Sequence, residues 1–381
     1  MKDVVLLGAT GSVGRQALDV LRELSGSFRI TGLSGNSNLR LLADQAREFQ
    51  PRSVAVATPP EKGSFSSEMG QLGAEVLTGP GSLDDLIRGL KPDIVLQAVS
   101  GAAGLRPSLT AIEEGARLAL ANKESLVMAG HILMPLAVEK DVEIVPVDSE
   151  HSAIFQALAG RPRDSLRRIF LTASGGPFVD WPAEEIRKVT PAQALKHPTW
   201  DMGSKISIDS ATMMNKALEI IEARWLFDCM ADKIEIVVHR QSIVHSMVEF
   251  NDGSILAQMG LPDMRVPIRY ALTCPDRPLS QKNYFDFERW SPLTFEPPDR
   301  KRFPAISLGF KAAGLGGIAG AVLNGANEAA VALFLEGKIT FDAIPRTVGS
   351  VLDNADNIES PSLDQVLEAD RWAREETRRC F

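Results

Sequence analysis

Short apolar runs alternate with amphipathic stretches through the first 150 residues of the chain. Runs at 4–7, 30–33, 54–57, 94–99, 118–121 and 142–147 are rich in Val, Ile and Leu and predict strands, while 15–24 and 39–49 repeat apolar positions at helical spacing. That alternation predicts an α/β fold with a doubly wound, Rossmann-like parallel sheet over 1–150. The pattern then changes. Runs at 169–172, 234–238, 243–249 and 255–258 follow without a helix between each pair, separated by turns such as Asn251-Asp252-Gly253, so 151–275 reads as a central α+β domain with a partly antiparallel sheet. Pro278, Pro292, Pro297 and Pro298, with Pro275 at the edge, mark a linker over 276–302, and 303–381 is rich in helix formers and predicts a C-terminal helical bundle. No internal repeat or low-complexity tract is seen.

Within the central region, KISIDSATMMNKALE (205–219) opens on a helix-start signal, with Asp209 or Ser210 as N-cap. Met214, Leu218, Ile221 and Trp225 then form one apolar stripe, and Asn215, Lys216 and Glu219 fall together on another side. An amide, a cation and a carboxylate so placed can grip an anionic substrate and supply an oxygen ligand. The same pattern also describes a surface Lys–Glu pair.

Composition narrows the class. The 381 residues are 44% hydrophobic and 24% charged with a net charge of −8, which fits a soluble globular protein and argues against a nucleic-acid partner. Cys229, Cys274 and Cys380 are far apart and lack CxxC spacing, so neither a disulfide framework nor a zinc site is expected, and a reducing cytoplasm is. Met1 leads directly into an apolar strand without a signal-peptide pattern, and no apolar run is long enough to span a bilayer, so no membrane partner is expected.

Residues 4–7 lead into Gly8-Ala9-Thr10-Gly11-Ser12-Val13-Gly14 and a helix, an arrangement that lets backbone N–H groups meet a pyrophosphate. The spacing is GxxGxxG rather than GxGxxG, and a tight turn alone would also use these glycines. After the second strand, Gly35-Asn36-Ser37 replaces the acid of an NAD site and Arg40 lies just beyond, which favours NADP. The run at 142–147 ends at Asp148-Ser149-Glu150; at period two both carboxylates share a face, and Glu219 would complete an all-oxygen set suited to Mg²⁺ or Mn²⁺. Taken alone, DxE is also the pattern of a solvated turn, and His151 that of a helix start. The stretch 174–203 has glycines near both ends and carries Trp200 and Met202, as a water-excluding lid would; an ordered loop with Trp200 in the core fits it equally.

These pieces closely resemble the 1-deoxy-D-xylulose 5-phosphate reductoisomerase family. The matching segments are GATGSVG (8–14), SGAAGL (100–105), LANKESLV (120–127), VDSEH (147–151), TASGGPF (172–178), HPTWDMGSKISIDSATMMNKALE (197–219), QMGLPDMRVPI (258–268) and NGANEAAV (324–331). The resemblance implies Asp148, Glu150 and Glu219 as ligands of Mg²⁺ or Mn²⁺, with Co²⁺ a further candidate. It implies Lys123 and Ser149 at the carbonyl and hydroxyl end of a sugar phosphate, and Ser174, Ser210, Asn215 and Lys216 on its phosphate with His197 close by. It also implies Trp200 and Met202 in the lid, and an NADPH site of Gly8, Thr10, Gly11, Ser12, Val13, Gly35, Asn36, Ser37, Asn122, Glu124 and Gly203. A cytoplasmic homodimer, with 151–275 as catalytic and dimerisation domain, is implied as well. Family members often carry a basic residue where this chain has Asn36, which loosens the expected grip on the 2′-phosphate.

The implied reaction is a metal- and NADPH-dependent rearrangement and reduction of 1-deoxy-D-xylulose 5-phosphate to 2-C-methyl-D-erythritol 4-phosphate, in the non-mevalonate isoprenoid pathway. A retro-aldol/aldol route and an α-ketol shift both satisfy these residues. Two rivals remain to be weighed. A semialdehyde dehydrogenase shares the glycine turn but needs a cysteine nucleophile, for which Cys229 in LFDCMADK lacks the flanking pattern. A non-catalytic dinucleotide-binding regulator should have lost Lys123 or a carboxylate, and all are present.

Overall fold

The computed structural model describes residues 1–59, 64–196, 200, 202–280 and 284–381. They form two compact units, each built from separated segments: 1–122, 133–148 and 264–279 in the first, 123–132, 149–263 and 280–381 in the second. The Lys123–Glu139 helix belongs to both, and the backbone at Ala129 leaves helical geometry (φ −137°, ψ 30°) within it.

The first unit is a seven-stranded sheet of β1 (Lys2–Leu7), β2 (Phe28–Ser34), β3 (Ser53–Val56), β4 (Glu75–Thr78), β5 (Ile94–Gln97), β6 (Arg117–Leu120) and β7 (Ile144–Pro146). Its order is β4-β3-β2-β1-β5-β6-β7 and every pair is parallel. The doubly wound sheet expected from the alternation is therefore present, with β4 added. That strand, Glu-Val-Leu-Thr, is half exposed and too short to show a period. Strand order reverses at β1, which makes the carboxyl ends of β1 and β5 the switch point where ligands bind in such sheets. The Arg265–Thr273 helix returns to pack on the Ser12–Glu23 helix, where Arg269 pairs with Glu23.

The second unit carries a mixed sheet of β8 (Leu166–Ala173), β9 (Ile234–Val238), β10 (Val244–Phe250) and β11 (Ile255–Met259), in the order β11-β10-β8-β9. β10 runs antiparallel to both neighbours, whereas β8 and β9 are parallel. A helical region follows, centred on the Ala319–Leu335 helix, which is buried along almost its whole length.

The helix expected to start at Asp209 or Ser210 is two helices. Asp209 and Ser210 lie inside Ser204–Ala211, and the second helix, Met214–Leu226, begins after Met213 turns left-handed at φ 61°. Apolar Ala211, Met213 and Met214 span this junction with only Thr212 between them, so periodicity could not locate it. The apolar stripe Met214, Leu218 and Ile221 is buried, but so are Lys216, Glu219 and Glu222, which excludes the surface-pair reading. This buried helix sits tightly against Ala305–Leu315, where a Cβ on Gly309 would lie 2.5 Å from Ala217 Cα. Alanine's helix propensity favours it over glycine by about 0.8–1 kcal/mol, yet the obstacle is backbone. Gly309→Ala is expected to destabilise by about 1–3 kcal/mol, the cost of overpacking, in urea unfolding. An unchanged or raised midpoint would show that the two helices can separate freely.

Candidate active site

In the first unit, Gly8 ends β1 at φ 81°, and a Cβ there would meet Ala98 O at 2.5 Å, so both conformation and space demand glycine. Gly14 is constrained by space alone, with Gly8 O 2.2 Å from its would-be Cβ. Gly11 is the N-cap of the Ser12–Glu23 helix and supplies no side-chain cap, so the helix start presents main-chain donors of the kind that bind phosphate. Thr10 lies beside Gly35: its Cγ2 is 3.2 Å from the Cβ position of that glycine. Ser34 Oγ accepts from Gly8 N at 3.0 Å, Asn36 Oδ1 accepts from Thr58 N at 2.9 Å, and Asn36 and Ser37 are exposed. Asn122 is buried and ties the 100–105 segment down, donating to Val99 O at 2.7 Å and Gly101 O at 2.9 Å.

The second cluster gathers around Glu219, which is wholly buried. Its Oε1 accepts from Asn215 Nδ2 at 2.6 Å and lies 3.3 Å from Lys123 Nζ, and its Oε2 accepts from Lys216. Lys123, the first residue of its helix, also donates to Asn215 Oδ1 at 2.8 Å. Lys216 Nζ reaches Thr172 O at 2.6 Å and Glu150 Oε1 at 3.3 Å, and Ser149 Oγ donates to Glu150 Oε2 at 2.7 Å. Ligand oxygens of Asp148, Glu150 and Glu219 lie within 4.8 Å of one another. The shared strand face expected for Asp148 and Glu150 is not what joins them. Asp148 immediately precedes the Ser149–Leu158 helix and Glu150 sits in its first turn, so helical geometry replaces the period of two. Three carboxylates beside two ammonium groups can hold a hard divalent cation, and the all-oxygen donor set suits Mg²⁺ or Mn²⁺.

Ser174 follows β8, and its Oγ accepts from Gly176 N at 3.3 Å. Gly176 brings this turn against the Ser204–Ala211 helix: at φ 71°, its Cβ position is 2.7 Å from Ser210 O. Ser174 and Ser210 thus belong to adjoining segments. Phe178 is buried and meets Trp181 and Phe341 edge-on, which fixes the front of the 174–203 stretch. Trp200 and Met202 are half-buried and Gly203 caps the Ser204–Ala211 helix, while His197 lies outside the described residues.

Some residues escaped the sequence reading. His151 is no mere helix start: it is fully buried, with Nε2 3.1 Å from Glu219 O and Nδ1 3.5 Å from Glu222 Oε2. Asp148, His151 and Glu222 form a second group able to hold a metal, but its nitrogen makes it less suited to magnesium. His245, on β10, is held below the usual imidazole pKa by burial, against the opposing charge of Glu150. An inward histidine on a strand had no motif around it to mark it. Cys229, the rival nucleophile, is pushed up to about 11 by burial, which keeps its thiol protonated near neutrality.

A glycine turn at the switch point of a parallel sheet and, separately, a carboxylate–lysine cluster able to hold a divalent cation mark an α/β enzyme of the dinucleotide-binding class. Family models match in turn 1-deoxy-D-xylulose 5-phosphate reductoisomerase over residues 4–130 and its C-terminal domains over 144–227 and 259–376. The chain belongs to the 1-deoxy-D-xylulose 5-phosphate reductoisomerase family. It is similar to the reductoisomerase of Pelotomaculum thermopropionicum, 49% identical over 382 residues covering 98% of this chain and 97% of the relative. That of Gloeobacter violaceus is 47% identical over 380 residues, 99% and 97% of the two chains. The crystal structure of a DOX-P reductoisomerase in complex with NADPH, fosmidomycin and magnesium matches with a TM-score of 0.95 at 38% identity, covering 100% of this chain and 98% of the other. The Zymomonas mobilis enzyme in complex with NADPH gives 0.92 at 42% identity, with the same coverage.

Proposed function

We infer that this chain rearranges 1-deoxy-D-xylulose 5-phosphate and reduces the product with NADPH to 2-C-methyl-D-erythritol 4-phosphate, using Mg²⁺ or Mn²⁺. The observation that carries this reading is the meeting of Asp148, Glu150 and Glu219 with Lys123, Asn215 and Lys216. When bound, a divalent ion supplies Lewis acidity toward the substrate's carbonyl and neighbouring hydroxyl oxygens. Lys123, fixed by Asn215 and Glu219, is assigned to hold a proton or a partial negative charge at that end of the sugar. Ser149 is assigned to orient the same hydroxyls. Ser174, Ser210, Asn215 and Lys216 are assigned to the phosphate, where contacts remote from the breaking carbon–carbon bond set orientation. Trp200 and Met202 are assigned to exclude water.

The test is steady-state oxidation of NADPH in the presence of 1-deoxy-D-xylulose 5-phosphate and Mn²⁺, with the product identified by mass. No turnover, or turnover without the sugar phosphate, would overturn the reading. NADPH is expected to exceed NADH in kcat/KM by about tenfold, roughly the worth of one charge-assisted contact to the 2′-phosphate. The margin is held down by neutral Asn36, and a preference for NADH would show the 34–40 segment to be misread.

A cytoplasmic homodimer belongs to the same proposal. β11 is an edge strand exposing Ile255 and Met259, a surface suited to a second copy, and sedimentation of the purified protein decides it. Among the described residues no helix is long and apolar enough to cross a membrane.

A further inference from the structure

Lys205, Asp209 and Asn327 have no role in the reading above, yet half-buried Lys205 joins buried Asp209 and Asn327 in a polar junction beside it. Lys205 Nζ donates to Glu124 Oε1 at 2.8 Å and lies 2.9 Å from Asp209 Oδ2, one turn along its own helix. Asp209 is 1% exposed, and its other oxygen accepts from Asn327 Nδ2 at 2.7 Å, in the Ala319–Leu335 helix. Burial opposes charge on both Glu124 and Lys205, but the partners outweigh it: Lys205 brings Glu124 below the usual carboxylate pKa, and Asp209, Glu124 and Glu328 raise Lys205. Both groups are ionised at neutral pH.

We propose that Lys205 is a positioning residue, which ties the first turn of the Lys123–Glu139 helix to the Ser204–Ala211 helix through Glu124 and thereby places the Lys123 ammonium on Asn215 and Glu219. Lys123 and Glu124 are successive residues at the helix start with side chains in different directions, so that turn is gripped from two sides. Removing the ammonium leaves the Glu124 and Asp209 carboxylates without the cation between them, and their repulsion acts on the turn. Asp209 keeps its bond to Asn327, so the helix bearing Ser210 stays anchored. The damage should therefore fall on turnover rather than on the hold on the phosphate.

The inference rests on the sugar-phosphate reading, so its test includes a measurement that needs no substrate. Full-length wild type, Lys205→Met, Lys205→Arg and Asn327→Leu are compared with Mn²⁺, saturating NADPH and 1-deoxy-D-xylulose 5-phosphate. Lys205→Met is expected to lower kcat by about thirtyfold, within the hundredfold that a small misplacement can cost, with KM for the sugar phosphate within about threefold. Lys205→Arg should restore most of kcat, because the charge is kept. Asn327→Leu should raise KM more than it lowers kcat. Amide exchange over 123–127 should quicken in Lys205→Met and stay unchanged in Asn327→Leu, whatever the substrate. If Lys205→Met does not fold, the double variant Asp209→Asn with Lys205→Met takes its place: it removes the repulsion and leaves Glu124 intact but still lacks the tie, so a smaller loss of kcat and a smaller quickening of exchange are expected. Unaltered kcat and exchange in the methionine variant, or a loss of kcat that arginine does not recover, would overturn the assignment. A wild type without turnover would overturn the functional reading instead, and the exchange measurement would still decide whether Lys205 fixes this turn.

Discussion

Replacing Glu219 by glutamine is expected to lower kcat/KM by about a thousandfold, equivalent to about 4 kcal/mol of transition-state stabilisation. The residue is wholly buried and both of its oxygens are engaged, so the substitution has no solvent to soften it. It removes one of three clustered carboxylates, and with it a full negative charge that offsets two lysines. Excess chelator should likewise abolish turnover in the wild type, with Mg²⁺ or Mn²⁺ restoring it. Calorimetric titration of Mn²⁺ should show weakened binding in the variant. If the wild type kept its activity in chelator, the carboxylates would have to be reassigned to holding lysines alone.

A large effect on stability is expected at Lys216. Its side chain is 4% exposed and touches Glu219, Glu150 and the Thr172 carbonyl. Lys216→Met should destabilise the protein in chelator by about 3 kcal/mol, at the lower end for breaking a buried pair because Lys123 still faces Glu219. With the competing ammonium gone the carboxylates should bind Mn²⁺ more tightly, and a hundredfold tighter ion returns about 2.7 kcal/mol relative to the wild type, so saturating Mn²⁺ should rescue most of the loss. Urea unfolding with and without Mn²⁺ checks both numbers. The KM for the sugar phosphate should rise in the same variant, since a cation assigned to the phosphate is gone. Equal destabilisation with and without Mn²⁺ would show that lysine and metal do not act on the same carboxylates.

Local features were legible in the chain because neighbours in sequence create them. The turn at Gly8–Gly14 depends on one strand end and one helix start, and the acidic pair Asp148 and Glu150 lies two residues apart. Asn215, Lys216 and Glu219 share a helix. What escaped was long-range or unpatterned. Glu124, Lys205, Asp209 and Asn327 meet from three helices, and no spacing records that meeting. The break at Met213 was hidden because apolar Ala211, Met213 and Met214 bridge it and its left-handed backbone lacks the usual glycine. His151 escaped because burial and contact with Glu219 and Glu222 arise only after the chain has folded back on itself.

The Lys123–Glu139 helix, shared by both units, also bears on how the protein is made. A ribosome that has released residues 1–122 has delivered six of the seven strands of the first sheet, but neither β7 nor the Arg265–Thr273 helix that covers Ser12–Glu23. Chain through residue 279 must emerge before that unit has all its parts. Nascent chains stalled earlier carry uncovered apolar surface, which chaperones and proteases recognise. Expression of the glycine-turn region alone should consequently give insoluble or rapidly degraded product, while fragments extended by the 264–279 segment should be better tolerated.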